Sequence, residues 1–131
     1  MEKSKSVQDS VTEMAELVLP NDVNLLYNLK GGRLMHWIDI AAALTASRHS
    51  NLNVATVSVE NLNFKYPIKL GEMVRLVAKL ESVGNSSMKI QVTVYSENLQ
   101  TGKVTMTNEA HLVFVALDEN GRPSRVPRLH E

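Results

Sequence analysis

The chain has 131 residues, 44% of them hydrophobic and 21% charged, enough apolar material for one buried core and too much for a disordered chain. Fourteen basic and fourteen acidic residues cancel, so no overall field draws the protein to nucleic acid or to an anionic membrane, and an anionic ligand must be caught by local charge. The absence of cysteine excludes disulfides, thiolate metal sites and a cysteine nucleophile together.

The opening residues, MEKSKSVQDS, lack the apolar core of a signal peptide, and no run reaches the roughly 20 apolar residues of a membrane span. A cytoplasmic protein without a membrane partner is the expectation. Residues 1–10 have the composition of a flexible N-terminal tail, and 11–131 read as a single domain without internal repeats. Residues 11–19 suggest a first strand with imperfect alternation, stopped by Pro20-Asn21-Asp22. Residues 23–30 show no period and read as a loop.

Gly31-Gly32 then opens a helix over 31–48, with Arg48 and His49 at its last turn, where positive charge suits the negative end of the macrodipole. Residues 54–66 are long and rich in β-branched side chains, which predicts a strand. Pro67 and Gly71 mark a turn. Val74, Leu76, Ala78 and Leu80 alternate with a second set of side chains on the next strand. After the hairpin signal Gly84-Asn85-Ser86, Met88, Ile90, Val92 and Val94 give the cleanest period of two in the sequence. Residues 103–117 form the last strand, and the final ten, with two prolines, are expected to be irregular.

The predicted helix carries one acid, Asp39, among Leu34, Met35, Trp37, Ile38, Ile40, Ala41, Ala42, Ala43 and Leu44. A helix apolar nearly all round is a buried helix, so Asp39 is either a satisfied core carboxylate or a functional acid. The fold class that follows is α+β, an antiparallel sheet of about five strands wrapped around one long central helix. A sheet covers one side of a helix only. The side left over implies a second copy of the same layer, hence an isologous homodimer.

The segments GGRLMHWIDIAA, RH, VATVSVENLNFKYPIKLGE, VGNSSMKI and FVALDENGRPSRVP, in that order, closely resemble the acyl-coenzyme A hydrolase group of hotdog-fold thioesterases, over about residues 12–129. The resemblance implies hydrolysis of fatty acyl-CoA to free acid and coenzyme A, a homohexamer built as a trimer of dimers, and a catalytic role for Asp39. It also brings Asn24 into the site and assigns the Gly31-Gly32 helix start to the thioester carbonyl. Ala55, Thr56 and Val57, together with Asn85, Ser86 and Ser87, are implied to line the ligand. Two positions depart from the common pattern of relatives, Ile40 and Ala41 after Asp39.

The chemistry is consistent with those residue types. Backbone N–H groups at a helix start are donors for the oxyanion formed when a thioester carbonyl is attacked, and Gly32, or Gly31, presents one without a side chain in the way. Asp39 activates water as a general base or attacks directly to form an anhydride. Gly32 and Asp39 are separated by about 10 Å along the helix at 1.5 Å per residue, so one carbonyl carbon draws on both only if each site takes one from either protomer. Asn24 holds water or the carbonyl through its amide, or makes an Asx turn. His36, three residues before Asp39, is expected to pack or face solvent, and Thr45 to lie in the core.

Arg48, Lys89, Arg125 and Arg128 are candidates for the phosphates of coenzyme A, which enters as substrate and leaves as product, so no separate cofactor is expected. Four histidines without paired spacing name no metal site. Met35, Trp37, Leu62 and Phe64 are expected beside the acyl pocket. The competing readings are a non-catalytic acyl-CoA-binding module, for which Asp39 has no use, and another hotdog enzyme such as an acyl-thioester hydratase, which needs a histidine working with the acid.

Overall fold

The structure, a computed structural model, describes residues 3–60, 62–63 and 65–130. Its elements in chain order are β1 (Ser4–Ser6), a 3-10 turn, β2 (Thr12–Leu17), a second 3-10 turn at Pro20–Asp22, α1 (Gly31–Ser50), β3 (Asn53–Glu60), β4 (Met73–Val83), β5 (Ser87–Glu97), β6 (Val104–Leu117) and β7 (Arg128–His130). Five strands form one antiparallel sheet in the order β2-β4-β5-β6-β3, which curls around α1 as the α+β expectation requires.

Alternation decides which face meets the helix. Val74, Leu76, Ala78 and Leu80 of β4, Met88, Ile90, Val92 and Val94 of β5, and Ala110, Leu112, Phe114 and Ala116 of β6 are all buried, because side chains two apart share one face of a strand. They close on Leu34, Trp37, Ile38, Ala41, Ala42 and Ala46 of α1. The three alanines let the sheet approach the helix axis, while burial of Ile38 alone contributes roughly 1.5–3 kcal/mol. Thr45 lies in this core with its hydroxyl bonded to the Ser10 carbonyl and to Thr12 Oγ1, each at 2.9 Å. The helix ends at Asn51, whose φ of 58° is a left-handed cap, a conformation asparagine tolerates better than most residues.

On the other side of α1, Gly32, His36 and Leu44 are exposed, with Asp39, Ile40 and Ala43 half-buried between them. Among the described residues no layer covers that stripe.

Three expectations are corrected. The strand predicted over 54–66 ends at Glu60, and the described residues beyond it are not strand. Pro67 and Gly71 do not close a hairpin, because β2 already occupies the free edge of β4 (Thr12 opposite Ala78, Leu17 opposite Met73); β3 therefore pairs with β6 at the far edge, and the intervening residues cross from one edge to the other. The N-terminal residues expected to fray, and the C-terminal ones expected to be irregular, pair instead as parallel strands, Ser4 opposite Arg128 and Ser6 opposite His130. Their polar side chains carry no pattern, but the pairing satisfies backbone groups of both ends, Arg128 N–H donating to the Lys3 carbonyl at 2.8 Å.

Candidate active site

The start of α1 is built from the residues before it. Asp22, buried, accepts from the Leu19 N–H at 2.9 Å and pairs with Arg33 Nε at 3.2 Å, while its own carbonyl accepts from Lys30 N–H at 2.9 Å. One acid thus fixes the turn at residues 20–22 to the first turn of the helix. No side chain caps that helix. Arg33 and Leu34 N–H both return to the Lys30 carbonyl, so the N–H groups of Gly31 and Gly32 are left over, as the first donors of any helix are.

The two glycines look into different spaces. Gly31 lines a cavity of about 300 Å³ together with Asn24, Asn28, Leu34, Tyr66 and Ile68. Gly32 lies on an open depression with Lys30, Arg33 and His36, and a Cβ built on it meets nothing within 4 Å. The shape of this chain alone therefore does not require glycine at 32. His36 is exposed, as expected.

Asn24 does make the Asx turn. Its Oδ1 accepts from Leu26 N–H at 2.9 Å and from Asn28 N–H at 3.2 Å, which forces the chain through Tyr27 at a φ of 61°. The amide nitrogen takes no part in that turn, and Asn24 lines the cavity shared with Gly31. The tip of the loop is unusually apolar for an exposed turn: Leu25 is 97% exposed and Leu26 72%.

Asp39 lies two turns into α1, half-buried on the uncovered stripe, and its Oδ1 accepts a hydrogen bond from Thr56 Oγ1 at 2.8 Å. Thr56 stands beside a register shift in β3, where Val57 is the extra residue between Thr56 and Ser58. Such a bulge re-aims neighbouring side chains, and Ala55, Thr56 and Val57 are all exposed in succession. This contact between Thr56 and Asp39 is not readable from spacing, because it joins two elements whose pairing is set elsewhere in the sheet. Tyr66, a wall of the Asn24 cavity, likewise lies outside any strand, and its place there follows from the crossover rather than from the expected strand over 54–66.

The turn at residues 84–86 is held by the C-terminal segment. Asn85 Oδ1 accepts from Arg125 Nη1 at 2.7 Å, and Arg128 Nη2 donates to the Gly84 carbonyl at 2.6 Å. Ser86 lends its carbonyl to Ala116 N–H, and Ser87 its carbonyl to Gly84 N–H, both at 2.9 Å. A Cβ at Gly84 would lie 2.4 Å from Ser87 Oγ, so a side chain there would turn that hydroxyl to another rotamer. Arg125 and Arg128 are thus grouped with Asn85. Arg48 is not: its Nη1 donates to the Val11 carbonyl at 2.6 Å and to Thr12 Oγ1 at 3.2 Å, binding the helix end to β2. Lys89 pairs with Glu60 at 3.7 Å and also stands apart. Leu62 packs against the core, as does Met35; Phe64 lies outside the described residues.

Within one chain the candidate residues therefore form two half-sites. Asn24 and Gly31 share one cavity, while Asp39 and Thr56 stand on the open face, and along the helix Gly31 and Asp39 are separated by about 12 Å. Among the described residues no cluster of three histidine or acidic side chains is placed to hold a metal ion, and no helix is long and apolar enough to cross a membrane.

Residues 28–103 match the family model described as the thioesterase superfamily. The chain is 36% identical to the Bacillus subtilis protein YkhA, described as an uncharacterized acyl-CoA thioester hydrolase, over 97% of this chain and 74% of that one. Some curated relatives are longer: the chain spans 66% of the length of the Helicobacter pylori protein VdlD, to which it is 34% identical. Among solved structures, an apo-hexameric acyl-CoA thioesterase superposes with a TM-score of 0.95 at 40% identity, covering 98% of this chain and 82% of that one. A Staphylococcus aureus acyl-CoA hydrolase in complex with butyryl-coenzyme A and coenzyme A superposes with a TM-score of 0.92 at 35% identity, covering 97% and 77%. That hydrolase is also known with alanine in place of an aspartate, of an asparagine fifteen residues before it, and of a threonine seventeen residues after it.

Proposed function

This chain belongs to the thioesterase superfamily, in its acyl-coenzyme A hydrolase group, and we propose that it hydrolyses fatty acyl-coenzyme A esters to free acid and coenzyme A, with Asp39 as the reacting carboxylate. One observation carries the reading. The single acid of an otherwise apolar helix stands on the face left uncovered and is held by one hydroxyl, Thr56, rather than neutralised by a basic partner. Asp22, whose carboxylate serves the fold, is by contrast buried and paired with Arg33. The spacing of Asn24, Asp39 and Thr56 is fifteen and seventeen residues, that of the three substituted positions in the Staphylococcus aureus hydrolase, which supports assigning all three to one site.

The reaction needs a polarised carbonyl, a nucleophile and a path for the thiolate. The helix start supplies N–H groups for the developing oxyanion, and Gly31, in the cavity of Asn24, is placed better for this than Gly32. The Asn24 amide nitrogen, unused by the Asx turn, donates to the same oxygen. Asp39 takes a proton from water as the water oxygen bonds to the carbonyl carbon and returns it to the sulfur as the C–S bond breaks. Or it bonds to that carbon itself, expelling the thiolate, which takes a proton from solvent, and leaving a mixed anhydride that water then opens to free acid and the Asp39 carboxylate. Thr56 fixes one carboxylate oxygen and leaves the other for this work.

Because the half-sites are apart in one chain, each complete site combines Asn24 and Gly31 of one protomer with Asp39 and Thr56 of its partner, the two helices lying antiparallel across a dimer axis. Asn85, Ser86, Arg125 and Arg128 hold the nucleotide end of coenzyme A, and Ala55 to Val57 flank its pantetheine arm. Three such dimers make a hexamer, which covers apolar surface such as Leu25, Leu26 and Val57. Coenzyme A is part of the substrate, and the reaction takes place in the cytoplasm.

Release of free thiol from a panel of acyl-coenzyme A esters, from acetyl to palmitoyl, tests the assignment. Asp39→Asn keeps size and hydrogen bonding, so turnover falls by roughly 10²–10⁴-fold with ligand binding retained. Undiminished turnover in that variant sinks Asp39 as the reacting group.

A further inference from the structure

Among the described residues, the first half of β6 has no strand paired to it on one side. Its pairing with β3 ends at Glu60 opposite His111, and the crossover residues beyond leave a cavity of about 480 Å³, walled by Asn63, Lys65, Tyr66, Met106, Asn108 and His111 among others. The register of β6 on β5 slips at the same place: Val94 faces Asn108 and Tyr95 faces Met106. Thr107 is the extra residue of a bulge. Thr107 and Asn108 are in consequence both buried, one after the other, in a strand that otherwise alternates.

The bulge puts an amide where the pattern calls for an apolar side chain. Asn108 is 4% exposed, and neither its Oδ1 nor its Nδ2 has a hydrogen-bond partner. Its neighbours are engaged: Thr107 Oγ1 donates to the Val94 carbonyl, and the His111 ring is taken up by Glu81 and Glu109. A buried amide bare at both atoms has lost water and gained nothing, which native interiors rarely allow without a bound partner.

Tyr66 lines this cavity and also the one that holds Asn24 and Gly31. A thioester whose carbonyl sits at the start of α1 can therefore send its acyl chain past Tyr66 toward Asn108. We infer that Asn108 is a specificity-determining residue that reads an oxygen atom on the acyl chain, so that the favoured substrates are hydroxylated or keto-bearing acyl esters rather than plain hydrocarbon ones. The inference rests on the acyl-coenzyme A reading above. An amide both donates and accepts, so a hydroxyl can pair with either Oδ1 or Nδ2 and a keto oxygen, which only accepts, with Nδ2, whereas methylene groups leave both bare. Sites built around a buried polar group reject the analogue that lacks its partner far more strongly than apolar pockets reject an added group.

Titration calorimetry with S-octyl coenzyme A, a thioether that cannot be hydrolysed, and counterparts hydroxylated near, midway along and at the end of the chain provides the test. Wild type binds at least one hydroxylated thioether about tenfold more tightly than the plain one. Asn108→Leu removes that gain and tightens binding of the plain thioether; Asn108→Ala serves the same purpose where leucine does not fold. Wild type that binds plain and hydroxylated thioethers equally, or none of them, overturns the inference, as does a gain that survives both substitutions. Turnover of octanoyl-coenzyme A is read in parallel, and its absence, with the affinity ratio intact, overturns the hydrolase reading alone.

Discussion

Thr56 shows how much one hydroxyl can decide. A carboxylate on an open helix face has several rotamers within reach, and the bond from Thr56 Oγ1 selects one of them, so that the same oxygen is presented each time a substrate arrives. Hydrogen bonds to charged groups contribute about 1.5–3 kcal/mol. Thr56→Val, which keeps shape and removes the donor, lowers kcat by roughly tenfold or more with KM little changed, and Thr56→Ser restores most of it. Steady-state thiol release separates the two constants; a rise in KM at constant kcat would instead make Thr56 a ligand contact.

At the scale of elements, the C-terminal end of α1 is tied to the segment before β7 through His49. The ring is fully buried, and its Nε2 donates to the Pro127 carbonyl at 2.8 Å, since a carbonyl only accepts. Nδ1 has no partner. Burial holds the imidazole below its ordinary range, opposed in part by the Pro127 bond and reinforced by the charges of Lys5 and Arg128. The unfolded chain takes up a proton at His49 near pH 6.5 while the folded one does not, so acid favours unfolding. Stability from this residue is complete above that pH and declines as the pH falls below it. Urea midpoints measured from pH 7.5 down to 5 fall more steeply for wild type than for His49→Gln; parallel curves would show that His49 does not titrate on unfolding.

The same scale shows what sequence reveals. β4, β5 and β6 were legible because one face of each meets the helix, and a two-residue period survives any error in their ends. The partner of β3 was not, since nothing in its own residues says that β2 has taken the place beside β4. β1 and β7 have too few residues and too little apolar surface for a pattern to exist; only their joint position creates them. Of the site, Asp39 stood out as an acid in an apolar helix, whereas the grip of Thr56 on it and the diversion of Arg48 to β2 arise from long-range contacts. Asn108 was hidden by the bulge, which shifts the phase of its strand by one residue.

For the whole molecule, the proposed division of each site between Asn24 and Gly31 of one protomer and Asp39 of its partner makes quaternary structure part of the chemistry. Chains carrying Asn24→Ala and chains carrying Asp39→Ala are each inactive in pure form. If each site draws on two protomers, a randomly mixed dimer population recovers about a quarter of wild-type activity, because half the dimers are mixed and each has one intact site. Mixing after mild denaturation and refolding, followed by thiol release, measures this directly, and no recovery would return both residues to a site within one chain.

The parallel pairing of β1 with β7 has a topological consequence. Ser4 lies beside Arg128 and Ser6 beside His130, so the start and the finish of the described chain are neighbours, about 10 Å of strand and one strand spacing apart. The described chain is therefore almost a ring. A linker of a few residues could close it, and a new opening in the exposed turn at residues 98–102 would leave the sheet, the helix and both half-sites connected in the same spatial order.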